Sequence, residues 1–185
     1  VERLDRAGLL PAIYFIFSRA GCDAAVDECV RAGLRLTGVA ERDRIIDYAT
    51  EATAHIDARD LEAVGFDRWL DGLAAGIAAH HAGLLPVFKE VVEKLFERGL
   101  LKAVFATETL ALGINMPART VVLERLVKYD GSDHVMLTPG QYTQLTGRAG
   151  RRGIDVEGHA VTIWAEDVRP KEVAGLASKR TYPLN

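Results

Sequence analysis

Pro11-Ala-Ile-Tyr-Phe-Ile-Phe17 is β-branched or aromatic almost throughout and shows no polar alternation. Such a segment has no side to give to water, so it predicts a strand buried on both faces of a parallel sheet. Ser18-Arg19-Ala20-Gly21 ends it, and Cys22, Ala25, Val26, Cys29 and Val30 then recur at helical spacing up to Gly33. The pattern repeats. A second strand is predicted over Gly76–His80, and the helix after Pro86 carries Phe88, Val91, Val92, Leu95 and Phe96 at i, i+3, i+4, i+7 and i+8 until Gly99. Lys102–Ala106 predicts a third strand, followed by a short helix over Thr107–Leu112 closed by Gly113. Arg119–Leu123 predicts a fourth, expected to run on towards Lys128, and Asp130-Gly131 a turn. Thr138 and Pro139 suit the N-cap and first position of a helix reaching towards Gly150, and Gly158–Trp164 is the fifth strand. Strands alternating with helices define an α/β domain with a mostly parallel sheet, whose ligands belong at the carboxyl ends of the strands. Residues 34–75 interrupt the alternation. Ile45, Ile46, Tyr48 and Ala49 form one stripe and Phe66, Trp69, Leu70 and Leu73 another, as expected of a helical, lid-like insertion.

With 185 residues, 49% of them hydrophobic, the chain can bury a sizeable core, which excludes intrinsic disorder. No apolar run approaches the roughly 18 to 20 residues of a membrane span, so no membrane partner is expected. The chain has no basic-then-apolar leader, and two cysteines, Cys22 and Cys29, make no disulfide framework; a reducing, cytoplasmic setting is the expectation. Net charge is −3, from 23 basic and 26 acidic side chains, unlike a generally basic nucleic-acid binder. The average hides an asymmetry. Acids dominate from Cys22 to Asp71, whereas Thr138–Gly153 holds Arg148, Arg151 and Arg152 and no acid at all.

That acid-free stretch contains Gln144-Leu-Thr-Gly147-Arg148-Ala-Gly150-Arg151-Arg152-Gly153. Two arginines three apart would share a face on a helical turn, and the glycines would let a phosphate chain approach the backbone. Guanidinium groups bind phosphate through two points and keep their charge, as stabilising a γ-phosphoryl transition state requires. A dinucleotide fingerprint is excluded. The glycine spacing is Gly-x-x-Gly-x-x-Gly, and the stretch follows a helix and precedes a strand. Thr107-Glu108-Thr109 through Gly113 to Asn115, Pro117 and Ala118 offers hydroxyls and amides at a strand end that could hold a phosphate or cap a helix. Ser18-Arg19 and His80-His81-Ala82-Gly83 occupy equivalent strand ends. Adjacent histidines on an extended segment point to opposite sides, so no metal site is expected there. No Gly-Lys pair occurs, hence no phosphate-binding P-loop, and no Gly-x-Ser-x-Gly elbow. Asp27-Glu28 lies inside the amphipathic helix and reads as a solvated face.

In this order, Phe17-Ser18-Arg19, His80–Gly83, Ala106–Ala118 and Gln144–Gly153 resemble motifs IV, IVa, V and VI of the second RecA-like lobe of superfamily 2 helicases, with a P-loop NTPase-like fold. The resemblance covers about residues 10–165. Asn115-Met-Pro-Ala and Gln-x-x-Gly-Arg-Ala-Gly-Arg favour the superkiller-type DExH-box family and its actinobacterial HelY branch over DEAD-box proteins, which typically have histidine where Gln144 stands. It implies a 3′-to-5′ helicase, with RNA the expected nucleic acid, driven by ATP and Mg2+ held mainly by an amino-terminal lobe absent from this chain. Arg148 and Arg151 would be arginine fingers, Gln144 would lie beside the nucleotide, and Gly113 near the ribose or interlobe cleft. Ser18, Arg19, Thr107 and the loop from His81 to Gly83 would hold a single strand of RNA or DNA by its phosphates. It further implies an interlobe linker over residues 1–10, the lobe over 11–165, and the start of a linker to a carboxyl-terminal domain over 166–185. The chain alone is expected to be inactive. The alternative is a catalytically silent RecA-like module that binds RNA or protein.

Overall fold

The computed structural model describes residues 1–111, 116–129, 132–164 and 170–178. The chain runs α1 (Glu2–Arg6), β1 (Ala12–Phe15), α2 (Arg19–Arg31), α3 (Val39–Thr53), α4 (Ala58–Ala63), α5 (Phe66–Ala74), β2 (Ile77–His80), α6 (Pro86–Glu97), β3 (Ala103–Ala106), a 3-10 turn (Glu108–Ala111), β4 (Thr120–Leu123), β5 (Val127–Tyr129), β6 (His134–Met136), α7 (Pro139–Thr146), β7 (His159–Thr162) and α8 (Pro170–Ser178). Five strands form one sheet in the order β2-β3-β1-β4-β7. Every neighbouring pair in it is parallel. This is the RecA-like α/β arrangement expected.

Register explains what the sheet presents. His80, Ala106, Phe15, Leu123 and Thr162 are level at the carboxyl end, and Ile77, Ala103, Ala12, Thr120 and His159 at the amino end. Alternate residues of one strand enter different cores, because successive Cβ atoms leave opposite faces. Ile13 and Phe15 join the larger core with Val104, Val121, Val91, Val92 and Leu95. Tyr14 and Ile16 pack instead with Cys22, Val26 and Phe105 beneath α2. The doubly buried strand predicted from its side chains is thus observed.

Residues 34–75 are helical as expected, but they are a layer of the core and not a lid. Ile45, Ala49 and Leu73 are fully buried in the larger core. Trp69 stacks on Phe88 of α6 at 4.0 Å between ring centroids, and Lys102 Nζ donates to Glu41 Oε1 at 2.9 Å, tying α3 to the sheet. β4 stops at Leu123 instead of continuing to Lys128. Buried Leu126 turns the chain away, its carbonyl accepts from Leu137 N–H at 2.7 Å, and β5 and β6 make a separate antiparallel hairpin. The turn expected at Asp130-Gly131 lies outside the described residues. Within residues 1–10 the structure has helix α1, and the Gly8 and Leu9 carbonyls accept from Arg119 Nη1 (2.6 Å) and Thr120 Oγ1 (2.7 Å). Beyond Trp164, where the start of a linker is expected, α8 starts at Pro170 and buries Leu176 against the larger core.

Candidate nucleotide and nucleic-acid interface

At the carboxyl end of the sheet, the first three predicted groups come together. Ser18 ends the extended segment after β1 and caps α2, its hydroxyl accepting from Gly21 N–H at 3.1 Å. Arg19 follows, exposed and without an ion-pair partner among the described residues. Its Cδ lies 3.5 Å from where a Cβ on Gly83 would sit, so the arginine stem runs along the loop after β2. Thr107 N–H donates to His80 O at 3.2 Å, which places Thr107 beside the same loop, with its hydroxyl 2.9 Å from that of Thr109.

The two histidines build that loop. His80 faces α6, where Nε2 meets Glu93 Oε1 at 2.8 Å, and burial pushes its imidazole below the ordinary range, against the opposing influence of Glu93. Its Nδ1 is buried without a hydrogen bond. His81 faces α2. Gly83 N–H donates to His81 Nδ1 at 3.1 Å, which leaves the ring proton on Nε2, aimed at Asp23 Oδ1 2.9 Å away. Both ring nitrogens of His81 are therefore used inside the protein, and what the loop offers outward is exposed Ala82 and Gly83. The opposite orientation of adjacent histidines follows the strand's period of two. Among the described residues no group of three His, Cys, Asp or Glu side chains could hold a metal.

The arginine segment lies at the other end of the sheet. Helix α7 is opened by a reciprocal cap between Thr138 and Gln141 and stops at Thr146, short of Gly150. Gln144 is exposed on its last turn. Gly150 has φ +90°, a left-handed conformation that a helix cannot continue through, so Arg148 and Arg151 do not share a helical face. The segment instead joins the sheet's amino end. Ala118 N–H donates to Arg148 O at 2.9 Å, and Gly150 N–H donates to Ala118 O at 2.7 Å. Gly158, just before β7, permits this approach: a Cβ there would lie 2.5 Å from Ala149 C and Gly150 N. Ligands of such a sheet are expected at the carboxyl ends of its strands; this segment joins the sheet at the amino end of β4. Gly113 lies outside the described residues, as does Asn115.

Asp155 is the residue that sequence reasoning missed. Arg151 has an acid partner after all, two residues beyond the acid-free stretch. Asp155 Oδ2 accepts from Arg151 Nε at 2.9 Å and Oδ1 from Nη2 at 2.8 Å, while Oδ2 also accepts from Arg151 N–H at 2.9 Å. These bonds hold the Asp155 carboxyl down at about 2, with Arg119 adding to the effect, and raise the Arg151 guanidinium. The four-residue separation of an arginine and an acid was the available signal.

Helicase conserved C-terminal domain is the family whose pattern runs through residues 35–153, from just before α3 to the end of the arginine segment, and the chain belongs to it. Since the match starts at residue 35, helices α3–α5 lie within that family's domain. Inside this class the chain sits with the superkiller-type DExH-box proteins that its motifs resemble. It is 64% identical over 184 residues to a Mycobacterium tuberculosis protein named probable helicase HelY, covering all of this chain and 20% of the relative. It is 43% identical over 168 residues to DExH-box ATP-dependent RNA helicase DExH11 of Arabidopsis thaliana, covering 91% of this chain and 12% of that one. Human Superkiller complex protein 2 is 42% identical over 154 residues, covering 83% and 12%. The chain spans a fifth or less of the length of these relatives.

Proposed function

We propose that this chain is the carboxyl-terminal lobe of an ATP-dependent 3′-to-5′ helicase acting on single-stranded RNA, and that it is inactive alone. A second RecA-like lobe of the same protein would hold ATP and Mg2+, since this sequence has no Gly-Lys phosphate loop. Arg148 and Arg151 would meet the nucleotide's phosphates when the lobes close, with Gln144 beside it and Gly113 near the ribose. What supports this most is the separation of the two residue sets. Arg19, Thr107, Ser18 and the Ala82-Gly83 backbone emerge at the carboxyl end, where phosphates of a strand can be gripped without reading bases. The arginine segment is clamped to the amino end of β4 by two main-chain hydrogen bonds. A nucleotide and a strand could be engaged together without competing for side chains.

The ion pair with Asp155 favours a second reading, in which Arg151 is structural and the lobe is a silent binding module for RNA or protein. The two are separated by nucleic-acid-stimulated ATPase of the full-length protein carrying Arg151→Ala. An arginine finger is worth roughly 10³ to 10⁵ in rate. Wild-type turnover in a folded variant would leave the silent module.

A further inference from the structure

We infer that Asp155 is a positioning residue for catalysis, which presets the Arg151 guanidinium so that its terminal edge faces the transferring phosphoryl group. The inference rests on the finger reading of Arg151 above. A guanidinium carries five N–H donors in one plane. Asp155 occupies Nε–H and one hydrogen of Nη2, in side-on geometry. Nη1 and the second hydrogen of Nη2 have no partner among the described residues, and they lie on the terminal edge. That edge can make a second two-point contact with phosphate oxygens while the first remains in place.

Burial points the same way. The Asp155 side chain is 5% exposed and that of Arg151 is 25% exposed, so the carboxylate is covered and the cation forms the outer part of the pair. The carboxylate is itself fixed, because Arg151 N–H donates to it and the Ile154 and Asp155 amides donate back to Arg151 O at 3.0 and 2.9 Å. A long side chain with several rotatable bonds is thereby ordered before the nucleotide arrives, which removes an ordering cost from the transition state. The same contact could instead withhold the arginine from the nucleotide. The two roles predict opposite changes in rate.

The test is a double-mutant cycle in the full-length protein, measuring stimulated ATP turnover and nucleotide affinity for wild type, Asp155→Asn, Arg151→Ala and the double variant. Asparagine keeps the shape and one oxygen for Arg151 N–H, but it sets an amide NH2 against the guanidinium. Expected is a fall in kcat of about 10²-fold in Asp155→Asn, the scale of a misplacement of roughly 1 Å, with nucleotide affinity nearly unchanged. No further loss is expected on adding it to Arg151→Ala. Asp155→Glu, which retains the two-point carboxylate, should recover part of the rate, and melting curves identify any variant to be read from that substitution instead. Turnover at or above wild type in Asp155→Asn, with Arg151→Ala impaired, overturns positioning; a rise would mean a latch. Losses that add in the double variant overturn it too, as a separate structural effect. Full turnover in Arg151→Ala is a different pattern, which removes the finger reading and the inference with it.

Discussion

The two ends of the sheet are assembled by different means. At the carboxyl end, Ser18, the loop after His80 and Thr107 simply continue strands whose last residues are level, and buried histidines shape the loop from beneath. At the amino end, the arginine segment arrives from α7 and is held by backbone approach to Ala118 and Gly158. The cations differ accordingly. Arg19 projects without an ion-pair partner among the described residues, whereas Arg151 is oriented by a carboxylate; under the proposed function the first would suit a phosphate that moves past and the second one phosphate in one place. Tolerance to substitution should differ in the same sense.

The largest effect belongs to Arg151. Replacement by alanine should lower stimulated ATP turnover by at least about 10³-fold, and lysine should restore little, because an ammonium cannot reproduce a planar two-point contact. Nucleotide affinity should fall far less than turnover if the contact forms mainly in the transition state. Equal losses in both would place Arg151 in ground-state binding.

Next comes Gly158. A methyl group there meets main chain at 2.5 Å, so Gly158→Ala should cost roughly 1–3 kcal/mol. The melting temperature should drop by roughly 2–4 °C per kcal/mol, with turnover falling while strand binding is retained. Loss of strand binding in a folded variant would show that the two ends are not independent.

Smaller again, Arg19→Ala in the full-length protein should weaken binding alike for all single-stranded sequences. The slope of log affinity against log salt should flatten by about 0.7, the value for one phosphate contact on a single strand. A changed base preference at constant slope would assign Arg19 to base recognition.

The smallest effect concerns His80, under the loop. Burial depresses its folded-state value, so the unfolded chain binds the proton more readily and stability rises with pH wherever the two differ. This contribution is complete above about pH 6.5 and is lost as pH falls from there through the folded-state value. Denaturant midpoints between about pH 5 and 7 should show less slope in His80→Gln than in wild type; an unchanged slope would trace the acid sensitivity to another group.

Much of the carboxyl end is legible in the sequence because local patterns produce it. The unbroken apolar run of Pro11–Phe17, strand-sized and rich in β-branched and aromatic residues, suits a doubly buried strand, and Phe88 through Phe96 carry the helical period of α6. Distances in the chain hide the amino end. Nothing near Gly158 announces that Ala149 and Gly150 lie against it, and Asp155 falls just past the Arg-Gly run that drew attention. The helical face assumed for Arg148 and Arg151 fails at Gly150, which has φ +90° and whose amide bonds to Ala118 O, 32 positions earlier in the chain. The β5–β6 hairpin escapes for another reason: three-residue strands are too short to display a period.

The pair of hydrogen bonds joining Ala118 to Arg148 and Gly150 involves main chain alone, so among substitutions at these positions only proline, at 118 or 150, would remove a donor. Both donors, the amides of Ala118 and Gly150, become accessible to solvent only when the arginine segment lifts away from the start of β4. In deuterated water their isotope exchange is therefore a clock for that lifting. If the segment moves as a unit the two amides keep the same time, and a nucleotide that grips the arginines slows both together.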